Sequence, residues 1–176
     1  MTPAGPTPGT LAGPRTRARS FLALGGWLLL CYAVATLGAL ASVNARTFYS
    51  ALAKPAWAPP GWLFGPAWSV LFTAMACAAW LAWRTSPGAA RTRALWLFVA
   101  QLACNGLWSW LFFGWQLGGW ALAELLVMWV LIAATLLAFW SLRRSAGGLL
   151  VPYLAWVSFA GCLNFVLWRM NPGLLG

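Results

Sequence analysis

The sequence predicts an all-α integral membrane protein, a five-transmembrane-helix bundle, on three observations. Of its 176 residues 62% are apolar and only 7% charged, with a mean hydropathy of +0.78, far outside the usage of a soluble domain. The apolar residues come in blocks long enough to cross a bilayer, which takes about 20 residues of helix. The blocks also lack the alternation of a barrel strand, and backbone groups in lipid then have no partner but their own helix.

Taken in order, residues 1–19 (MTPAGPTPGTLAGPRTRAR) are rich in Pro, Gly and Thr, lack periodicity and read as a disordered tail. The apolar block that follows is longer than the core of a signal peptide and lacks a clean cleavage site, so it reads as a retained first span. Spans are expected at about 21–43, 62–83, 94–113, 120–140 and 149–168, inside one membrane domain covering 20–172. Arg84 to Arg93 is a short polar turn and Gly114 to Gly119 a tight connection. Arg143 and Arg144 close the fourth span, and Gly147 and Gly148 precede the fifth.

The connection between the first two spans is the unusual one. Tyr49 to Trp68 (YSALAKPAWAPPGWLFGPAW) holds four prolines, Pro55, Pro59, Pro60 and Pro66, and three tryptophans, Trp57, Trp62 and Trp68. Proline fixes its own φ and drives the preceding residue out of the helical region, so Lys54 to Gly61 is expected to be stiff and extended. Helix is expected to resume at Gly61 or Trp62, with a slight bend near Pro66. So much aromatic surface on a loop fits the membrane interface, or a lid folded over an apolar cavity.

Orientation follows from the basic residues. Arg15, Arg17, Arg19, Arg84, Arg91, Arg93, Arg143 and Arg144 fall on one side; Arg46, Lys54 and Arg169 fall on the other. The positive-inside rule then places the N-terminus in the cytoplasm and the proline-rich loop and C-terminus outside, in what reads as a bacterial cell membrane. Charges that flank apolar blocks, rather than forming one patch, also argue against a nucleic-acid partner despite the net charge of +10.

The chain has no histidine and one acid, Glu124. Paired carboxylates, hydroxyl or thiol nucleophiles activated by histidine, and histidine-based metal sites cannot be assembled from it. Cys31, Cys77, Cys104 and Cys162 stand singly in apolar blocks, as small packing residues do. No metal site and no covalently bound cofactor is expected. Glu124, one turn inside the fourth span, is a candidate proton relay or a partner for Lys54, Arg46 or Arg169.

Of fifteen tryptophans, eight fall toward the proline-loop side and five toward the other, a weak bias. Depth is more informative. Trp68 and Trp156 lie away from the interface, where an indole N–H must find a partner or line a hollow. Helical spacing puts Trp68, Phe72 and Met75 on one face of the second span. It does the same for Asn105, Trp108 and Phe112 on the third, and for Trp156, Ala160, Leu163 and Asn164 on the fifth. Converging, these faces make an aromatic pocket with two amides, suited to a large flat apolar ligand; merely packed, they make a solid bundle in which each Asn is polar glue.

KPAWAPPGWLFGPAW (54–68), QLACNGLWSWLFFG (101–114), GWALAELL (119–126) and PYLAWVSFAGCLNFVLWR (152–169) resemble the TspO/MBR family of tryptophan-rich sensory and translocator proteins, the peripheral-type benzodiazepine receptors, over about residues 21–172. The resemblance implies a five-helix bundle, usually a homodimer. Its ligands would be porphyrins such as protoporphyrin IX and haem-like tetrapyrroles, sterols and benzodiazepine-type compounds, bound beneath the first loop by a receptor, or moved by a transporter. Trp57, Trp62, Asn105, Trp108, Trp120, Leu163 and Asn164 match pocket or lid positions. Trp68 and Trp156 match the pair implicated in light-dependent porphyrin breakdown and would be the catalytic residues if that reaction occurs. The sterol motif falls on Leu163, Phe165 and Arg169. Two departures stand out: Phe165 replaces a common tyrosine, and Trp96 occupies a position, four before Ala100, where a close helix-dimer contact wants a small residue.

Overall fold

A computed structural model of the chain describes residues 14–176. The helices are α1 (Pro14–Ala41), α2 (Ala45–Ala51), α3 (Phe64–Trp83), α4 (Ala89–Ser109), α5 (Gly118–Leu142), α6 (Arg144–Gly148), α7 (Val151–Met170) and α8 (Pro172–Leu175). Five segments are long and apolar enough to cross a membrane: Ala18–Ala41, Gly61–Trp83, Ala89–Gly114, Gly118–Leu142 and Arg144–Met170. The expected spans and these segments agree to within a few residues, except that α1 starts at Pro14, inside the stretch read as a tail. Residues 1–13 lie outside the described residues.

Short elements at the helix ends depart from the expectations. Between α1 and the proline loop, over residues for which no element was expected, the chain forms α2. Ser109 is followed not by a plain helix end but by a π turn, Trp110–Gly114, closed by the Trp115 N–H on the Trp110 carbonyl at 2.7 Å. The two glycines before the fifth span belong to α6. A side chain on Gly147 would meet Trp140 Cα at 2.8 Å, so only glycine lets α6 fold back onto the end of α5. Leu149 and Leu150 separate α6 from α7, and Pro152, in the first turn of α7, has no N–H with which to continue the α6 ladder.

In the bundle α1 packs on α3 and α4, and α5 on α4 and α7. Each helix is apolar on all sides, so the buried face shows as a stripe rather than as a hydropathy contrast. On α5 that stripe is Gly118, Ala121, Leu125, Met128, Ile132, Thr135 and Phe139, a spacing of three and four residues. Lipid is as apolar as these side chains, so close packing and hydrogen bonds hold the helices together.

The end of the bundle away from the proline loop is solid. Met75, Ala76, Ala79, Ala82, Ala94, Phe98, Ile132 and Phe139 are all closed off there. Phe98 stacks on Phe139 at 5.8 Å between ring centroids and takes the edge of Trp27 at 5.7 Å. Two polar ties finish that end. The Trp80 indole donates to the Ser20 carbonyl at 2.8 Å, and Arg91 donates to the Trp83 and Thr85 carbonyls at 3.0 Å, satisfying the last turn of α3.

Candidate functional site

At the proline-loop end the same helices enclose a cavity of about 1060 Å³. Its walls come from the outer halves of α1, α3, α4 and α7, and its lining includes Trp68, Phe72, Asn105, Trp108, Trp156, Ala160, Leu163 and Asn164. Met75, expected on the same face as Trp68 and Phe72, is fully buried in the solid core below and does not line the cavity.

Aromatic contacts set the walls. Trp68 lies 5.5 Å from Phe72 and 6.2 Å from Tyr153, and Trp108 stacks on Phe112 at 5.2 Å with 12° between the planes. The π turn contributes here, because one extra residue in the turn carries Phe112 and Phe113 to the cavity. Trp156 meets the edge of Phe64 at 6.1 Å. Among the described residues neither the Trp68 nor the Trp156 indole N–H donates to a protein acceptor, and both residues line the hollow.

The two amides do both things the sequence allowed. Asn164 accepts from the Trp108 indole at 3.2 Å and donates to the Gly118 carbonyl at 3.0 Å, tying α4, α5 and α7 together. Asn105 donates to the Tyr153 hydroxyl at 3.0 Å, and that hydroxyl donates to Gln101 Oε1 at 2.8 Å. Both amides also line the cavity. Their polarity is therefore largely committed to the bundle, and the cavity they edge is apolar.

Over the hollow lies the proline loop, as a lid: Lys54, Ala58, Pro59, Pro60, Gly61 and Trp62 all line the cavity. The loop turns once, through the Ala58 N–H on the Pro55 carbonyl at 3.0 Å, and becomes helical again with a 3-10 turn at Gly61–Leu63. It is fastened at three points. Asn171, at the end of α7, accepts from the Ala53 N–H at 2.8 Å and donates to the Ala53 carbonyl at 2.9 Å. The Tyr49 hydroxyl donates to the Pro59 carbonyl at 2.9 Å; burial pushes the Tyr49 phenol above its ordinary pKa, which keeps it a neutral donor. Lys54 turns back to donate to the Tyr49, Leu52 and Ser50 carbonyls at 2.7, 2.9 and 3.3 Å, neutralising the exposed end of α2. The Asn171 clamp also places the lid and the C-terminus at one end of the bundle, as alternating spans require.

Several expected site residues lie elsewhere. Trp57 is half exposed and packs its edge on Phe159 at 5.9 Å, behind Trp156, so it braces the wall without lining it. Trp62 lines the cavity only at its rim, 68% exposed. Trp120 is 70% exposed and outside the cavity: it precedes Ala121 of the α5 stripe by one residue, about 100° around the helix, and so faces away from the bundle. The motif Leu163, Phe165 and Arg169 does not form one surface. Leu163 is buried in the cavity wall, whereas Phe165 and Arg169, about 200° and 240° further around α7, are exposed. Glu124 pairs with none of Lys54, Arg46 or Arg169. Both its oxygens are buried beside Cys104 of α4, outside the cavity and without a well-formed hydrogen bond.

The lid clamp, the π turn and the tyrosine hub of Gln101, Asn105 and Tyr153 were absent from the expectations. A model of the TspO/MBR family matches residues 27–169, which take in the whole lid and every wall of the cavity. The chain belongs to the TspO/MBR family. Among TspO/MBR relatives, the human translocator protein is 40% identical over 131 residues, covering 73% of this chain and 78% of that protein. The tryptophan-rich sensory protein of Cereibacter sphaeroides is 43% identical over 145 residues, 82% of this chain and 89% of that protein. Protein CrtK of Rhodobacter capsulatus is 36% identical over 148 residues, 84% of this chain and 91% of its own length.

Proposed function

We propose that this protein is a membrane receptor or regulator that binds porphyrins, with protoporphyrin IX as the probe ligand, in the tryptophan-walled cavity beneath the proline lid, and so modulates tetrapyrrole metabolism or stress responses. The observation that carries the reading is the cavity itself: about 1060 Å³, walled by Trp68, Trp108 and Trp156 and capped by Lys54 to Trp62. Ligand pockets of a few hundred to about 1,000 Å³ hold drug-sized molecules, so this one has room for a macrocycle. A flat π system lies well against indole faces, and each such contact contributes roughly 1 kcal/mol beyond burial. Micromolar binding, about −8 kcal/mol, is within reach of such a site.

Family membership and the sensory and translocator names of the relatives support a small-molecule receptor in a membrane. A homodimer in a bacterial cell membrane, with the lid outside, is the assembly we propose for it. Sterols are a second apolar cargo for the same volume, although Phe165 and Arg169 face away from it.

The experiment is a titration of the detergent-solubilised protein with protoporphyrin IX, followed by tryptophan quenching. Replacing Trp68→Phe together with Trp156→Phe is expected to weaken binding at least tenfold, two stacking contacts at roughly 1 kcal/mol each. Unchanged affinity in a folded double variant would overturn the site. The same pair is what a photochemical breakdown would use. Porphyrin absorbance lost under light and oxygen, and retained in the double variant, would extend binding to turnover.

A further inference from the structure

Most polar groups around the cavity have a protein partner; among those that do not, Arg46 alone carries a charge, and that charge names a feature of the ligand. Asn164 bonds to Trp108 and Gly118, and Asn105 bonds to Tyr153. The hydroxyls of Ser42, Ser50 and Ser69 donate to backbone carbonyls three or four residues before them at 2.7–2.9 Å. Lys54 has all three of its N–H donors on backbone carbonyls. Arg46, in the first turn of α2, also lines the cavity and is exposed at its mouth. The only acidic side chain in the chain is Glu124, whose oxygens are buried away from the cavity. No carboxylate side chain can therefore neutralise Arg46.

We propose that Arg46 is a specificity-determining residue that receives an anionic group, a carboxylate, on the rim of a planar apolar ligand whose body lies between Trp68, Trp108 and Trp156. The inference rests on the porphyrin reading above and adds to it the class of ligand: an acidic amphiphile rather than a neutral one. A guanidinium remains charged at any working pH and meets a carboxylate with two parallel N–H donors. At so exposed a mouth the pair is screened by water, and a surface ion pair contributes at most about 1 kcal/mol, a preference of about threefold to fivefold. Arg46 thus sorts ligands that the aromatic walls hold.

The test compares protoporphyrin IX with its dimethyl ester, which keeps the macrocycle and removes both acids. Full-length protein in phosphatidylcholine nanodiscs is titrated with each. Wild type is expected to prefer the diacid about threefold to fivefold, less so in 1 M salt. Arg46→Gln is expected to abolish that preference and leave ester affinity unchanged, which also shows that the variant is folded. Arg46→Lys is expected to keep part of the preference. An equal affinity of wild type for the two ligands, or a preference that survives Arg46→Gln, overturns the role of Arg46 while leaving the cavity reading standing. Failure of both ligands to bind wild type overturns the cavity reading instead. A lipid headgroup could supply the same anion, so the titration is repeated with phosphatidylglycerol in the disc. A persisting preference assigns Arg46 to the cavity ligand, and its collapse to the value of Arg46→Gln assigns Arg46 to the lipid and overturns the proposal.

Discussion

The two ends of the bundle are built from the same five spans and do opposite things. Away from the lid, α3 presents Ala76, Ala79 and Ala82 to its neighbours, the helices close up, and Phe98 and Phe139 fill what remains. Beneath the lid, small residues such as Gly38, Gly65 and Ala160 face large ones, Trp68, Trp108 and Trp156, and the space is left open. Aromatic content alone does not decide between filler and wall. What decides is whether the indole is braced from behind. Trp68 rests on Phe72 and Tyr153, Trp108 on Phe112, and Trp156 on Phe64 and Phe159, so each is held at the edge of the hollow instead of falling into it.

The sharpest way to separate the two ends is to damage the solid one. Phe98→Ala is expected to cost about 3 kcal/mol of stability, through lost packing and a cavity, while protoporphyrin IX affinity of the folded fraction stays within twofold. Thermal unfolding in detergent beside a binding titration checks this. A smaller effect, confined to the other end, is expected of Asn171→Ala. It strands the Ala53 N–H and carbonyl at a cost of about 2 kcal/mol. Hydrogen exchange should rise at residues 53–61 and ligand dissociation should quicken, with exchange at 75–82 unchanged.

Tyr153→Phe sits on the boundary, because Tyr153 backs Trp68 and bonds Gln101 and Asn105. A loss of about 1 kcal/mol in stability is expected, as for other hydrogen bonds between membrane helices, and with it a twofold to threefold weaker ligand affinity. The least is expected of Trp120→Phe, within about 0.5 kcal/mol in stability and unchanged in binding. A strong binding defect there would mean that the cavity extends to the outward face of α5.

The spans were legible because block length alone separates a membrane helix from a core helix. Most of the cavity wall was legible because helical spacing fixes a common face; depth was not, since Met75, on the face of Trp68 and Phe72, lies in the core below. Which way a face points was not. Lipid and protein core are equally apolar, so the α5 stripe carries no contrast that would have turned Trp120 outward, or Phe165 and Arg169 away from Leu163. Helix α2 is a seven-residue segment, too short for periodicity to show. The Asn171 clamp joins residues 118 positions apart, and no local signal marks such a pair. The prolines marked a connection that cannot be helix and left two places for it, the membrane interface or a lid; the ties of Asn171, Tyr49 and Lys54 hold it over the cavity.

Trp68 and Trp156 line the hollow that the proposed ligand would fill. Fluorine spectra of protein labelled with 5-fluorotryptophan, assigned by single Trp→Phe variants and recorded through a protoporphyrin IX titration, test it at each indole. Large saturable shifts are expected for Trp68, Trp108 and Trp156, and still resonances for Trp96 and Trp120. Movement of Trp96 and Trp120, with Trp68 and Trp156 unmoved, would contradict this.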